Sequence, residues 1–159
     1  MIRTPSGWML YGSLAAAIVL ALLPLPDAVG AMRPYVLAML MAYWAMEAPN
    51  RVGLGNAFLV GLLADLALAA PLGEQALRLV VLVYLVQRFR ARLRFFPLWQ
   101  QAIAVGLLLL NDRVIAAALH MAMGLPPSPR STWLSPLLGM LLWPWLFVLL
   151  DMARLRARN

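Results

Sequence analysis

PLWQQAIAVGLLLLNDRVIAAALHMAM, the run from Pro97 to Met123, is broken only by short polar groups and suits a single apolar helix. Proline is favoured in the first helical turn. Roughly 20 helical residues at about 1.5 Å each cross a hydrocarbon core about 30 Å thick, so this run is long enough to span. A barrel strand would alternate polar with apolar residues, and nothing here alternates. Helix is then the conformation that satisfies the backbone in lipid.

Cutting the rest of the chain at its charges and prolines gives five more runs of the same kind. With the first they predict an all-α membrane protein, a six-transmembrane-helix bundle in one domain over residues 1–159, with spans near 8–23, 35–47, 54–70, 76–88, 97–121 and 133–151. The breaks are Pro24-Leu25-Pro26-Asp27, Glu47-Ala48-Pro49-Asn50-Arg51, Pro71-Leu72-Gly73-Glu74, the basic block Arg88, Arg90, Arg92 and Arg94, and Gly124-Leu125-Pro126-Pro127-Ser128-Pro129. The second and fourth runs are short and are expected to borrow flanking residues or to sit where the membrane is locally thin.

Composition agrees. The 159 residues are 64% hydrophobic and 12% charged, with a mean hydropathy of +0.84, which leaves too little polar surface to coat a soluble enzyme. The absence of Cys removes disulfides, thiolate chemistry and Cys-based metal sites. The net charge of +7 comes from 13 basic residues, all Arg, against 6 acidic ones. Nucleic-acid binding would want these interleaved with polar and aromatic contacts on a soluble face, which the pattern lacks. Topology explains them better. With the N-terminus inside, Arg3, Arg51, Arg88, Arg90, Arg92, Arg94, Arg154, Arg156 and Arg158 are cytoplasmic, and only Arg33, Arg78 and Arg130 are outside. The positive-inside rule therefore puts both termini in the cytoplasm. The first run also loosely resembles a cleavable signal peptide ending near Ala28-Val29-Gly30-Ala31, although its length and its proline break suit an anchor.

Charges within spans are costly, about 2.5 to 3.5 kcal/mol each on insertion scales, so they are informative. Asp65 lies with Ala57 and Gly61 on a small-residue face where helices approach closely, a candidate face for internal packing or for a partner's helix. Asp112 and Arg113 interrupt the fifth span. The expected arrangement is an intramembrane polar cluster in which Asp65 pairs with Arg113, joined by Asp112. A proton relay or ligand site would use such groups. Polar glue between helices accounts for them as well, and no repeated acid chain marks a pathway. His120, without a second His or any Cys, reads as a packed or interfacial residue rather than a zinc ligand. The segment Pro49 to Asn56 reads as a turn and lacks the glycine spacing and Lys of a phosphate-cradling loop. Trp8, Tyr43, Trp44, Trp99, Trp133, Trp143 and Trp145 read as interfacial anchors. No Ser, His and acid arrangement supports catalysis, the connections are too short to house an active site, and no cofactor is called for.

Several strings, in this order and spacing, carry a family resemblance: Arg33-Pro34, Tyr43-Trp44, Pro49-x-Arg51-Val52, Phe58-x-x-Gly61-x-x-x-Asp65, Leu72-Gly73, Tyr84-Leu85-Val86, Leu98-Trp99-Gln100-Gln101-Ala102 and Leu142-Trp143-Pro144-Trp145. Together they resemble the rod shape-determining MreD family in its proteobacterial form. The chain departs from it at Asn50, where relatives often carry His, and in having Arg113 beside Asp112. The resemblance implies a non-enzymatic inner-membrane scaffold of the cell-elongation machinery. It would bind an MreC-like single-pass protein and work with the MreB filament and the peptidoglycan polymerase and transpeptidase pair. It implies no catalytic residues, and a fold similar to the substrate-binding subunits of energy-coupling-factor transporters. The alternative that this fold keeps open is a small-molecule-binding membrane transport subunit.

Overall fold

The computed structural model describes residues 7–24, 26 and 35–156. Arg3, Leu25, Asp27, the small residues Ala28 to Ala31, Arg33-Pro34 and Arg158 lie outside them, and with them the expected cleavage site. Among the described residues there are six α-helices, α1 (Gly7–Leu22), α2 (Val36–Glu47), α3 (Leu54–Ala67), α4 (Glu74–Phe95), α5 (Leu98–Ala122) and α6 (Ser135–Arg156), the last preceded by a 3-10 turn at Arg130–Leu134. By length and composition α5 and the continuous segment Arg130–Arg156 can cross a membrane, and α1, α2 and α3 are shorter apolar helices.

The helix ends follow from local chemistry. Helix α5 is capped by Pro97 before its first residue and ends in a glycine cap: Gly124 takes φ 67, Leu125 N–H donates to the His120 carbonyl at 2.9 Å and Gly124 N–H to that of Met121 at 3.3 Å. This is the left-handed exit that glycine makes without steric cost. Helix α3 stops at Ala67, three residues short of the expected end, because Ala69 enters the left-handed region at φ 51. Helix α4 runs to Phe95 and includes the basic block expected to end it. Arginine is a good helix former, and Arg92 and Arg94 in the last turn complement the negative end of the helix.

Helix α2 is the axis of the molecule. Every residue from Leu37 to Met46 is buried, so the helix is covered on all sides. Helices α1, α4, α5 and α6 surround it, while α3 and α4 form the most closely apposed hairpin and α5 and α6 a second. A glycine sets the first hairpin: a Cβ on Gly61 would lie 2.3 Å from the Ala76 Cα and 2.5 Å from its nitrogen. The exterior is apolar almost throughout, with Leu59, Leu63, Leu66, Leu107, Leu141 and Leu149 all exposed. That is the inverse of a soluble surface.

The aromatic residues divide in a way their sequence positions do not reveal. Trp8, Trp99, Trp133 and Trp145 are exposed, as interfacial anchors require, but Tyr43, Trp44 and Trp143 are core residues. Tyr43 packs edge-on against Trp44 and Phe147, with ring centroids 5.3 and 5.4 Å apart. The Trp44 indole N–H donates to the Ser13 hydroxyl at 2.9 Å and so ties α1 to α2.

Candidate functional site

The polar groups gather at two levels. At the end of the bundle where α2, α4 and α6 begin, buried charges hold four helices together. Asp65, near the end of α3, does not pair with Arg113. Its carboxylate accepts hydrogen bonds from the backbone N–H groups of Gly73 and Gln75, both at 2.8 Å. These donors belong to the first turn of α4 and its approach. A helix N-terminus has unpaired donors and a partial positive charge, so a carboxylate there is neutralised without a cation. Gly73 takes φ 95, which lets the chain turn beneath the acid.

Asp112 has a different partner. The Arg78 guanidinium meets it through two parallel donors, Nε to Oδ1 at 2.9 Å and Nη2 to Oδ2. At 4% and 2% exposure, respectively, Arg78 and Asp112 form a buried bidentate pair. Arg78 also reaches Glu74, one turn earlier on α4, at 3.3 Å. The other oxygen of Glu74 lies 3.4 Å from His120 Nε2 on α5. The Arg78 guanidinium sits 4.8 Å over the Tyr35 ring, and the Tyr35 hydroxyl donates to the Gln75 side-chain carbonyl. A continuous set of contacts therefore links the start of α2, the α3–α4 turn and the far half of α5. Arg113 makes no ion pair with this set; its guanidinium donates to the Ser135 hydroxyl at 3.3 Å, joining α5 to α6.

Asp65 and Asp112 thus belong to one polar region, but Arg78, not Arg113, is the cation at its centre. Arg78 reads in sequence as an outer-side charge near a helix start. Its one local signal is Glu74 four residues earlier, the spacing of an ion pair on one helix face. Asp112 and Arg113 are adjacent, so a helix turns them about 100° apart and only one can face α4. Ala57, Gly61 and Asp65 do share a face and all three are buried, Gly61 and Asp65 against α4. That face is used within the chain and is closed to a partner.

The opposite end is tied by exposed and half-buried charges and by the buried Gln101. Glu47 at the end of α2 lies 2.5 Å from Arg154 and 4.0 Å from Arg94. The Arg90 Nε donates to the Met46 carbonyl at 2.7 Å. Gln101 donates to the Leu93 carbonyl at 2.9 Å, satisfying the end of α4 from α5. The segment between α2 and α3 is a turn, closed by Arg51 and Val52 N–H groups on the Ala48 carbonyl at 3.0 and 3.1 Å.

Chemically, these arrangements join helices. Each of the carboxylates Asp65, Glu74 and Asp112 is engaged by a donor from another turn or another helix, so none is presented as a general base or nucleophile. Breaking such contacts in a low-dielectric interior is costly, and the region therefore fixes how α2, α3, α4 and α5 are registered against one another.

A family model described as rod shape-determining protein MreD matches residues 3–153. The rod shape-determining protein MreD of Haemophilus influenzae is 31% identical to this chain over 142 residues, which cover 89% of this chain and 88% of that protein. No solved structure matches.

Proposed function

The chain belongs to the MreD family of rod shape-determining proteins, and from that premise we propose that it is a non-enzymatic scaffold of the bacterial inner membrane that helps to organise cell-wall synthesis during elongation. In this reading all six helices span, with both termini cytoplasmic. The end carrying Asp65, Arg78 and Asp112 faces outward, and the arginine-rich end faces the cytoplasm. The partner would be an MreC-like single-pass protein, with the MreB filament and the peptidoglycan polymerase and transpeptidase pair in the same assembly.

The observation that carries this reading is the division of labour between interior and surface. Interior charges are engaged in ties between helices, while the exterior of the bundle is broad and apolar. A rigid body with an apolar flank is what a partner's transmembrane helix needs, because helices associate in lipid by close packing against a preformed surface. The partner contact belongs on this outer surface, since Ala57, Gly61 and Asp65 are buried within the chain, the last two against α4. A transport subunit would instead leave polar groups presented to a ligand, and the carboxylates of the distal cluster are engaged with one another's helices.

Mild-detergent purification of the tagged chain from cells making the rod-shape complex tests the proposal. Stoichiometric recovery of a single-pass membrane protein is the expected result. Recovery of the chain alone with a retained vitamin-like small molecule would overturn it in favour of transport.

A further inference from the structure

The four arginines at the end of α4 differ in what surrounds them. At 100° per residue, Leu77, Tyr84, Arg88, Arg92 and Phe95 fall along one narrow stripe of the helix. The stripe is on the outside of the bundle: Leu77 is 44% exposed, Tyr84 54% and Phe95 89%. Arg90 and Arg94 lie on the other side and are committed to the end of α2, through the Met46 carbonyl and Glu47. Arg88 and Arg92 are exposed, and their side chains make no hydrogen bond or ion pair among the described residues.

Their position along α4 is equally specific. Measured from Glu74 at about 1.5 Å per residue, Arg88 lies about 21 Å and Arg92 about 27 Å along the helix. With a hydrocarbon core about 30 Å thick, two lipid-facing guanidinium groups there reach the level of the inner-leaflet phosphates by extending their side chains. Side chains four apart on a helix are neighbours, so both can engage one headgroup. The planar guanidinium fits phosphate oxygens two at a time. Phe89, next to Arg88 in the chain, and Trp99, at the start of α5, are exposed aromatic residues, as expected of side chains at headgroup depth.

We propose that Arg88 and Arg92 form a binding site for the phosphate of a phospholipid of net negative charge in the cytoplasmic leaflet, on the lipid-facing side of α4. The leaflet rests on the six-span reading given above. The headgroup preference does not, because protein extracted in detergent shows it whichever way the chain inserts.

The test uses the full chain equilibrated with vesicles of mixed phosphatidylglycerol and phosphatidylcholine, extracted mildly, with retained lipid counted by native mass spectrometry. Wild-type protein is expected to retain phosphatidylglycerol preferentially. A basic residue near an anionic surface contributes about a fivefold factor, so Arg88→Gln with Arg92→Gln lowers that preference about thirtyfold and each single change lowers it about fivefold. Arg88→Lys with Arg92→Lys keeps the charge and retains most of the preference. Arg90→Gln with Arg94→Gln removes the same net charge yet leaves the preference intact. Equal loss in the two Gln pairs would mean that net charge alone acts, and would overturn the site. So would a wild-type protein that retains both lipids equally, which would leave the pair to an acidic segment of a protein partner. Displacement of the lipid by millimolar inorganic phosphate would overturn it too, as the mark of a soluble-anion site.

Discussion

Arg78→Met removes the cation shared by Glu74 and Asp112 and leaves the Asp112 carboxylate buried without either of its donors. Removing one member of a buried pair costs about 3 to 5 kcal/mol. Asp112→Leu is milder, because Arg78 keeps Glu74 at 3.3 Å. The double change Arg78→Met with Asp112→Leu takes both charges away and fills the space with apolar atoms, which in comparable buried pairs is commonly neutral or better. Glu74 then keeps His120 at 3.4 Å and its place in the first turn of α4. The double variant should therefore be at least about 2 kcal/mol more stable than Arg78→Met alone. For a chain of this length about 2 to 4 °C corresponds to 1 kcal/mol, so the single change lowers the midpoint of thermal unfolding by about 6 to 20 °C. Tryptophan fluorescence of the protein in detergent micelles measures it. A double variant no more stable than Arg78→Met would refute the reasoning, because the two residues would then not share the interaction that their geometry describes.

Gly61→Ala should destabilise by about 1 to 3 kcal/mol, because the added methyl meets the backbone of Ala76 rather than a side-chain tip that can move. Gly12→Ala, with nothing within 4 Å, should be neutral or slightly stabilising in the same unfolding assay. Exchanging charges as Asp65→Arg with Arg113→Asp should restore none of the membrane accumulation lost by Asp65→Arg alone, since each residue serves a different neighbour. Recovery in the double variant, read by immunoblot of membranes, would reinstate a direct pair. The chain has no Cys, so single introduced thiols report topology. Ser128→Cys should react with a membrane-impermeant maleimide from the periplasmic side and Ala91→Cys only after the inner membrane is opened, and the reverse pattern would invert the proposed orientation.

Helix number and most boundaries were legible because prolines, glycines and charges act locally. Pro97 and Gly124 bound α5 through conformations that depend on those residues alone. The end of α4 was not, because the arginine block has two meanings: it stops an apolar run while continuing a helix. The small-residue face at Ala57, Gly61 and Asp65 could be placed on one side of α3 from its period, but whether a neighbour already covered it is a tertiary fact. The charge network was the least legible. Arg78 and Asp112 are 34 positions apart and Tyr35 and Gln75 are 40 apart, and no local pattern says which acid a distant arginine will choose. The same limit applies to Trp44 and Trp143, whose ring positions near charged or proline residues resemble those of anchors until the surrounding helices are in place.

The complete enclosure of α2 bears on how the protein is made. Among the described helices it follows α1, yet three of the four helices that cover it, α4, α5 and α6, come later in the chain. In the proposed six-span reading it has, until they arrive, α1 beside it, held in part by Trp44 on Ser13, and the rest of its surface faces hydrocarbon. Its sequence, Val-Leu-Ala-Met-Leu-Met-Ala-Tyr-Trp-Ala-Met before Glu47, has no polar face to forbid that wait. In that reading the all-round apolar surface serves twice, filling the core of the finished bundle and holding the unfinished one in the membrane.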